Sequence, residues 1–293
     1  MSEIHYIDRE SNQLKKESVP AEGIMNWLYG AVLGKATLHL LMKRKFVSAI
    51  GGWFMNSKRS QKRIGPFIEK YGIDMSDYTP SKAEDFKHFN DFFYRKVKKE
   101  KRPIGNGVVS PADGKTLAFQ ALADVPSFFI KGSEFSLTSF LKDSNLVQKY
   151  EGGSMVIIRL APTDYHRFHF PQEGQASTST IIKGHYFSVS PIALRKSLRI
   201  FCENQREHCT LTTKEHGDIL IVEVGATMVG SIIQTYEANS EVKKGDEKGY
   251  FAFGGSTLVL LFEKGKVQLD EDLIKNTQNN METQLKMGDR IGI

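Results

Sequence analysis

Two short segments of the 293-residue chain bring together residue types that perform acid–base chemistry. In residues 110–114, Ser-Pro-Ala-Asp-Gly, a proline and a glycine frame a turn that would hold Asp113 in a fixed place. In residues 164–171, two imidazoles, a carboxylate, a phenol and a guanidinium lie within six residues. His166 and His169 are an odd number of positions apart, so an extended strand would point them to opposite faces. We therefore expect separate acid–base roles for the two histidines rather than one shared metal ion.

A third segment offers a nucleophile next to an unhindered carbonyl. Residues 254–257 are Gly-Gly-Ser-Thr, and an apolar run follows at once. Gly255 has no side chain to shield its carbonyl, and the hydroxyl of Ser256 follows that carbonyl directly. A serine that loses its proton to a base can attack the preceding carbonyl and convert an amide into an ester. Taken alone, the same four residues are typical of a plain turn before a strand.

Together the segments supply Asp113, His169 and Ser256, the residue types of a catalytic triad. A triad is defined by geometry and role, not by order along the chain. A chain of this length contains many residues of each type, so ordinary turns and a polar strand remain the alternatives.

The residue pattern of the remaining sequence indicates which secondary-structure elements would position these segments. Beyond Pro103, short β-branched runs alternate with glycines and prolines, which predicts a β-rich domain with tight turns. The runs at 155–160, 219–224 and 257–262 are predicted strands, and residues 192–201 are a predicted helix.

Before that point the pattern is helical, from about residue 20 to residue 99. Ser81, with Glu84 three residues later, predicts a helix start. We therefore expect an α+β fold with two parts. Residues 1–100 form an N-terminal tail and a helical portion that contacts a membrane, and residues 101–293 form a mostly antiparallel β-rich catalytic core.

Positive charge is concentrated in the N-terminal portion. The net charge is +6, whereas residues 23–68 hold eight Lys and Arg and no Asp or Glu. Apolar residues between these cations, with Trp27 and Trp53 among them, suit the interface of an anionic bilayer. The alternative is a helical hairpin packed on the domain with a merely solvated basic face. Because the rest of the chain is close to neutral, a nucleic-acid-binding protein is disfavoured.

Several other classes of protein are disfavoured by specific absences in the sequence. Two cysteines rule out a disulfide scaffold, and Cys202 and Cys209 lack the pairing typical of a zinc site. No run approaches the roughly 20 apolar residues of a membrane-spanning helix, and residues 1–18 resemble neither a signal peptide nor a transit peptide. Neither a phosphate-binding loop nor a Gly-x-Ser-x-Gly elbow is present.

Further short motifs accompany the three segments in a fixed order along the chain. The complete set is Phe-Asn-Asp-Phe-Phe-Tyr-Arg at 89–95, Arg-Pro-Ile at 102–104, Ser-Pro-Ala-Asp-Gly at 110–114, Tyr-His-Arg-Phe-His at 165–169, Asn-Gln-Arg at 204–206, Val-Gly-Ala-Thr-Met-Val-Gly-Ser-Ile at 224–232, Lys-Lys-Gly at 243–245 and Gly-Gly-Ser-Thr at 254–257. In this order they resemble the phosphatidylserine decarboxylases, pyruvoyl-dependent enzymes that are made as self-cleaving proenzymes. The Gly-Gly-Ser-Thr form resembles the second of the family's two bacterial branches. Residues 1–80 carry no matching motif and resemble the family only in general character, because the family has apolar N-terminal helices that contact the membrane.

The resemblance implies that the chain cleaves itself between Gly255 and Ser256. His169, oriented by Asp113 and supported by Asp164, would deprotonate Ser256, whose attack on the carbonyl of Gly255 gives an ester. Elimination and hydrolysis would then release ammonia and convert Ser256 into a covalent pyruvoyl group, the cofactor. No metal is implied.

The resemblance also implies the reaction. The pyruvoyl group would form a Schiff base with the amine of phosphatidylserine and accept the electrons left by CO2, so that phosphatidylethanolamine results. His166 would contact the carboxylate and return a proton to carbon. The chains of residues 1–255 and 256–293 would remain associated as a heterodimer, which leaves a further oligomer open.

The implied location is the cytoplasmic side of the cell membrane, as a peripheral protein bound to anionic phospholipid. Three alternatives remain. The first is a decarboxylase of a related serine lipid such as archaetidylserine, and the second is a triad serine hydrolase that acts on lipids with its chain intact. The third is a lipid-binding module without catalysis, in which the motifs are turns.

Overall fold

The fold is built around one large β-sheet, which accounts for most of the strands. The computed structural model describes residues 4–17, 23, 27, 51–125, 135–185, 187, 199–226, 232–252, 254 and 256–293. The strands are β1 (His5–Asp8), β2 (Gln13–Lys16), β3 (Tyr78–Thr79), β4 (Lys96–Val97), β5 (Val108–Val109), β6 (Gly114–Phe119), β7 (Ser154–Leu160), β8 (Arg167–His169), β9 (Gly174–Ala176), β10 (Thr180–Ile182), β11 (Arg206–Thr212), β12 (Asp218–Val224), β13 (Ile232–Gln234), β14 (Ser240–Val242), β15 (Glu247–Phe251), β16 (Ser256–Phe262), β17 (Glu282–Leu285) and β18 (Arg290–Gly292).

Short helices connect and cover these strands. The α-helices in the described ranges are α1 (Ile64–Tyr71), α2 (Phe89–Phe93), α3 (Leu137–Leu141), α4 (Ser144–Tyr150), α5 (Arg199–Glu203) and α6 (Glu271–Gln278). Short 3-10 helices lie at Lys58–Arg63, Met75–Asp77, Ala83–Asp85, Lys99–Lys101 and Leu122–Asp124.

The large sheet has the strand order β14-β9-β11-β12-β16-β7-β6-β17-β1-β2, and β10 also pairs with β11. Among the described residues its strand pairs are antiparallel except for β1 with β17, so the predicted α+β fold with a mostly antiparallel sheet is confirmed. The predicted strands at 155–160, 219–224 and 257–262 are confirmed as β7, β12 and β16, which are neighbours at the centre. Every residue of β7 and β16 is buried. Strands covered on both faces have continuous apolar sequences, which is why these runs were recognisable.

A second sheet, in the order β13-β15-β8, packs on one face of the large sheet. Residues directly opposite each other in an antiparallel pair share a face, and Leu258 of β16 is opposite Glu223 of β12. The Glu223 carboxylate lies 2.9 Å from the Nζ atom of Lys248 in β15. Ser256 lies two positions before Leu258 and therefore points to the same face, the one that β15 and β8 cover.

The N-terminal tail is part of the sheet. Residues 5–16 form β1 and β2, and β1 pairs in parallel with β17 near the C-terminus. The buried guanidinium of Arg159 holds this junction by binding the carboxylates of Glu17 and Glu282 at 2.6–3.0 Å. The predicted helical pattern at residues 20–99 is not confirmed. Within 51–99 the helical parts are residues 51–55, α1, α2 and short 3-10 segments, and β3 and β4 lie between them. Residues 20–50 lie outside the described residues except for 23 and 27.

The predicted helix start at Ser81 is wrong. Glu84 lies in a 3-10 turn, and α2 begins only at Phe89. His88 precedes it as the cap, and its Nδ1 atom accepts a hydrogen bond from the Asp91 amide at 3.1 Å. Phe86 interrupts the helix because it is extended and buried in a small apolar core with other aromatic residues. Of the predicted helix at 192–201, the structure describes only the final part, in α5.

The small apolar core forms a separate cluster from the core of the large sheet. It contains Met55, Ile64, Phe86, Phe89, Phe92 and Phe93. Phe93 also contacts the histidine segment, so this cluster links the N-terminal helices to the candidate site. No helix in the described ranges is both long and apolar enough to cross a membrane.

Candidate active site

Ser256 is the first residue of β16 and pairs with Leu160 of β7. It is fully buried, and its Oγ atom has no hydrogen-bond partner among the residues that the structure describes. A buried hydroxyl is normally paired, because leaving one unpaired costs free energy. Gly254, two residues before it, has φ = 147°, a conformation that side chains disfavour. Gly255, whose carbonyl Ser256 is expected to attack, lies outside the described residues.

His169 is the last residue of β8, and both of its ring nitrogens are hydrogen-bonded. Nδ1 lies 2.9 Å from the carbonyl oxygen of Gly245, and Nε2 lies 3.0 Å from the hydroxyl of Tyr165. A carbonyl can only accept, so Nδ1 carries the proton and Nε2 accepts from Tyr165. Burial lowers the pKa of His169, although the Gly245 contact and the charges of Glu247 and Asp113 oppose this. His169 is therefore a neutral base at pH 7 with Nε2 as its basic nitrogen.

Asp113 is fixed by partners other than His169. Its two carboxylate oxygens accept from Nε and Nη2 of Arg102 at 2.9 and 2.6 Å, and one accepts from the Met287 amide at 2.8 Å. Arg102 also binds Asp77 at 3.0 Å. The turn itself does reach the histidine segment, because the His169 amide donates to the carbonyl of Pro111 at 2.8 Å. Asp113 thus acts on His169 through its charge and not through a hydrogen bond.

His166 lies in different surroundings from His169, as their odd spacing predicts. Its ring stacks on Phe93 with centroids 3.8 Å apart, and Nε2 donates to the Ala161 carbonyl at 2.9 Å. Nδ1 is buried and without a partner in the described ranges. Burial lowers the pKa of His166 to about 3, so the ring is neutral with an unpaired basic nitrogen.

Asp164 is paired with a lysine and not with His169. Its carboxylate accepts from Nζ of Lys115 at 3.0 and 3.1 Å and from the Ala161 amide at 2.8 Å. Lys115 directly follows Gly114, where a Cβ atom would lie 2.7 Å from the Ile158 side chain. The glycine therefore allows β6 to approach β7 closely enough to pair this lysine with Asp164.

Sequence reasoning missed three residues of this arrangement. Arg102, Tyr165 and Lys115 bind Asp113, His169 and Asp164, respectively. Arg102 and Tyr165 lie within motifs that carry the resemblance, which was a usable signal. Their partners could not be inferred, because a guanidinium or a phenol gives no local sign of its contacts.

Comparison with known proteins identifies the family. The family model described as phosphatidylserine decarboxylase matches residues 89–293. The chain is 51% identical over 292 residues to a phosphatidylserine decarboxylase proenzyme of Fusobacterium nucleatum, an alignment that covers 99% of this chain and 97% of that protein. The chain belongs to the phosphatidylserine decarboxylase family.

Other members of the phosphatidylserine decarboxylase family align over nearly their whole length. Proenzymes of this name from Clostridium novyi and Desulfitobacterium hafniense are 44% and 41% identical, over 99% of this chain and 99% and 98% of their own lengths. The matched range 89–293 includes all three chemical segments, so the resemblance drawn from the motifs is confirmed. The full-length alignments extend the similarity to the N-terminal region, where no motif indicated the family.

Proposed function

We propose that this chain decarboxylates phosphatidylserine to phosphatidylethanolamine by means of a pyruvoyl group formed from Ser256. The proposal depends chiefly on one observation, the buried and unpaired hydroxyl of Ser256 at the head of a central strand. Membership of a decarboxylase family whose relatives are named proenzymes supports it.

The surroundings of Ser256 fit its conversion into a pyruvoyl group. Conversion removes the hydroxyl, and that hydroxyl has no hydrogen bond to lose among the described residues. β16 is paired with β12 on one side and with β7 on the other, so the chain of residues 256–293 would stay attached after cleavage. When present, a pyruvoyl ketone supplies an electrophile for the substrate amine and an electron sink for decarboxylation.

Cleavage requires a base, a nucleophile and a charge that favours the protonated base. Nε2 of His169 takes the Ser256 proton, and the hydroxyl of Tyr165 must first leave this nitrogen. Oγ then attacks the carbonyl carbon of Gly255, and the C–N bond breaks as the proton passes to nitrogen. Asp113 favours the imidazolium through its negative charge.

The ester is then resolved by elimination. Loss of the Ser256 Cα proton expels the carboxylate of residue 255, and hydrolysis of the remaining enamine releases ammonia. His169 is our candidate for removing this second proton as well.

His166 is our candidate for proton transfer during turnover. Decarboxylation consumes one proton, because the carbon that loses CO2 must be protonated. The Nδ1 atom of the neutral ring has no partner among the described residues, which leaves it open to the reacting groups of the substrate, and we assign to this side chain the contact with the carboxylate and the return of the proton to carbon. Lys115 keeps the nearby Asp164 paired, so this carboxylate is not a competing acceptor.

The experiment that tests the proposal is an intact mass spectrum of the wild-type protein and of Ser256→Ala. We expect wild type to give two chains, of residues 1–255 and 256–293, the smaller lighter by one ammonia than a chain with a free N-terminal serine. Ser256→Ala should give one chain of 33.1 kDa, because no nucleophile remains. A wild-type chain that stays whole while it consumes lipid would favour the serine hydrolase, and cleavage of Ser256→Ala would refute the proposal.

We also propose that residues 23–63 contact an anionic membrane. In the part that the structure describes, Trp53 is 75% exposed and the guanidinium of Arg63 lies 4.8 Å from the ring centre of Phe54. Exposed aromatic and basic residues on one short segment suit a charged bilayer interface. The small apolar core packs against this segment, and its member Phe93 stacks on His166. Contact with a membrane would therefore bring the histidine segment towards the lipid.

Removal of the described cations of this segment should weaken binding to vesicles that contain phosphatidylglycerol. We expect at least a roughly 10-fold loss, because each cation contributes about 1 kcal/mol at such a surface. The variant replaces Lys58, Arg59, Lys62 and Arg63 by glutamine. A control of equal charge replaces the exposed Lys214, Lys264, Lys266 and Lys275. Equal losses in the two variants, measured by vesicle sedimentation, would contradict contact through this segment.

A further inference from the structure

Two sequence motifs that have no part in the proposed chemistry meet at Gly225. This glycine belongs to the motif at 224–232, and its partners belong to the motif at 204–206. Its amide donates to the carbonyl of Gln205 at 2.9 Å, and its carbonyl accepts from Nδ2 of Asn204 at 2.7 Å. Asn204 is fully buried, and its side chain also binds the backbone of Phe187 at 2.8 and 2.9 Å. The backbone of Gly225 is therefore held on the side of β11.

Gly225 lies next to Ser256 and faces the same side of the sheet. Val224, the last residue of β12, is opposite Thr257 of β16. Because these strands are antiparallel, the residue after Val224 and the residue before Thr257 lie opposite each other at the same end of the pair. The hydrogen bond of the Gly225 amide continues the ladder of β11 and β12, so this glycine still lies in the sheet. Opposite residues share a face with Cβ atoms about 4.5–5.5 Å apart, so a side chain at position 225 would lie beside that of Ser256.

The described fold does not require a glycine at position 225. The φ angle of Gly225 lies outside the left-handed region. Among the described residues, the atoms nearest to an added Cβ would be the Gln205 carbonyl oxygen at 3.5 Å and Cδ1 of Ile232 at 4.0 Å, both at ordinary contact distance. At Gly249 in β15, by contrast, a Cβ would lie 2.2 Å from the carbonyl oxygen of Ile233. A glycine within a strand often marks a place where a ligand approaches the backbone closely.

We propose that the space beside Gly225 holds the serine headgroup of the substrate lipid. The assignment rests on the proposed function, in which the substrate amine reacts at residue 256. The carbon next to that amine carries the carboxylate and the arm that leads to the phosphate, so these groups need free space directly beside residue 256. On the β7 side the space is filled by the buried side chain of Leu160, the residue opposite Ser256. On the β12 side Gly225 leaves it open among the described residues, and Ile232 of β13 borders it from the second sheet.

The test compares wild type with Gly225→Ala, with a short-chain phosphatidylserine as substrate. Cleavage, read from the intact mass, and the melting temperature should be unchanged, because the new methyl group makes only ordinary contacts with the described residues. The ratio kcat/KM should fall by about 10- to 200-fold, since the methyl group displaces part of the headgroup. Hydroxylamine, a small amine without carboxylate or phosphate, should still condense with the ketone at residue 256 at the wild-type rate, read as a mass shift of the 256–293 chain.

Further variants keep the result interpretable. Ile232→Val removes the Cδ1 atom that borders the space, so adding it to Gly225→Ala should recover part of the lost kcat/KM. Ile232→Phe narrows the same space from the second sheet, so it should also lower kcat/KM, and it replaces Gly225→Ala if that variant does not fold. Gly65→Ala, in α1 with no described atom within 4 Å of the added Cβ, should behave like wild type, whereas Gly249→Ala should lower the melting temperature.

Three results would overturn the assignment. An unchanged kcat/KM in the folded variants would mean that the space holds no part of the substrate. Loss of cleavage in Gly225→Ala at an unchanged melting temperature would assign the space to maturation of the precursor. Equal slowing of hydroxylamine and of the lipid would mean that the methyl group acts on residue 256 itself and not on the headgroup. Failure of the proposed function is distinguishable, because wild type itself would then remain uncleaved and would not react with hydroxylamine.

Discussion

His169→Ala is expected to leave the chain uncleaved, whereas His166→Ala is expected to cleave normally and to lack decarboxylase activity. The basic Nε2 atom of His169 accepts a hydrogen bond from Tyr165, and the negative charge of Asp113 raises the pKa of the ring. A base that takes the proton of Ser256 needs both an accepting nitrogen and a charge that stabilises its protonated form. Loss of a general base typically slows a reaction by about 100- to 10,000-fold, so the precursor should persist. The measurement is a time course of intact mass after synthesis, with phosphatidylethanolamine formation assayed on the processed fraction.

His208→Ala provides the matched control, because His208 lies in β11, outside the proposed machinery. It should be cleaved and active like wild type. The assignment of separate roles fails if His166→Ala blocks cleavage as completely as His169→Ala. Since removal of His166 leaves a gap beside Phe93, thermal unfolding of both variants should be compared.

Arg102→Met is expected to produce the largest loss of stability and to slow cleavage. The substitution leaves the Asp113 carboxylate buried with only the Met287 amide as a partner. Removing one member of a buried ion pair costs about 3–5 kcal/mol of the free energy of unfolding. Cleavage should slow because the carboxylate that favours the protonated base is no longer held in place. Urea unfolding and the time course of intact mass provide the two measurements.

Two comparisons separate stability from chemistry in this prediction. Lys286→Met removes an exposed pair with Glu10 and should cost less than about 1 kcal/mol. The double variant Arg102→Met, Asp113→Leu removes both buried charges and should recover much of the lost stability, but it should not recover cleavage. If the double variant is cleaved at the wild-type rate, Asp113 has no part in cleavage. If Arg102→Met is as stable as Lys286→Met, the pair contributes little.

The central position of β16 has a consequence for processing. Ser256 begins a strand that is paired on both sides, and both partner strands, β12 and β7, belong to the part of the chain before residue 255. The proposed cleavage therefore cuts the chain directly before the first residue of a central strand and leaves the pairing of that strand intact. The new chain terminus at residue 256 would be held by the strand that follows it.

Sequence alone was sufficient for features that depend on local pattern. The runs that became β7, β12 and β16 were recognisable because strands buried on both faces are continuously apolar. The odd spacing of His166 and His169 predicted different surroundings because side chains alternate along an extended chain. The ordered motifs predicted the family, since they preserve chemistry at particular positions and not overall composition.

Local pattern failed where distant contacts decided between local alternatives. Ser81 offered a good helix start, yet burial of Phe86 required an extended residue, and His88 became the cap. The tail at residues 5–16 contains few strong strand signals, and its pairing with β17 makes it a strand.

The partners of the charged groups were decided only by the tertiary structure. Asp113 is bound by an arginine 11 residues before it and by an amide 174 residues after it. Arg102, Arg159 and Arg206 are the same residue type, but the first two bind a carboxylate through Nε and Nη2, whereas these atoms of Arg206 have no partner among the residues that the structure describes. The spacing of apolar residues along a helix or strand shows which of its faces is buried, because side chains at fixed intervals share a face. Which charges meet depends on how the strands are ordered in the sheet, and that order exists only in the folded protein.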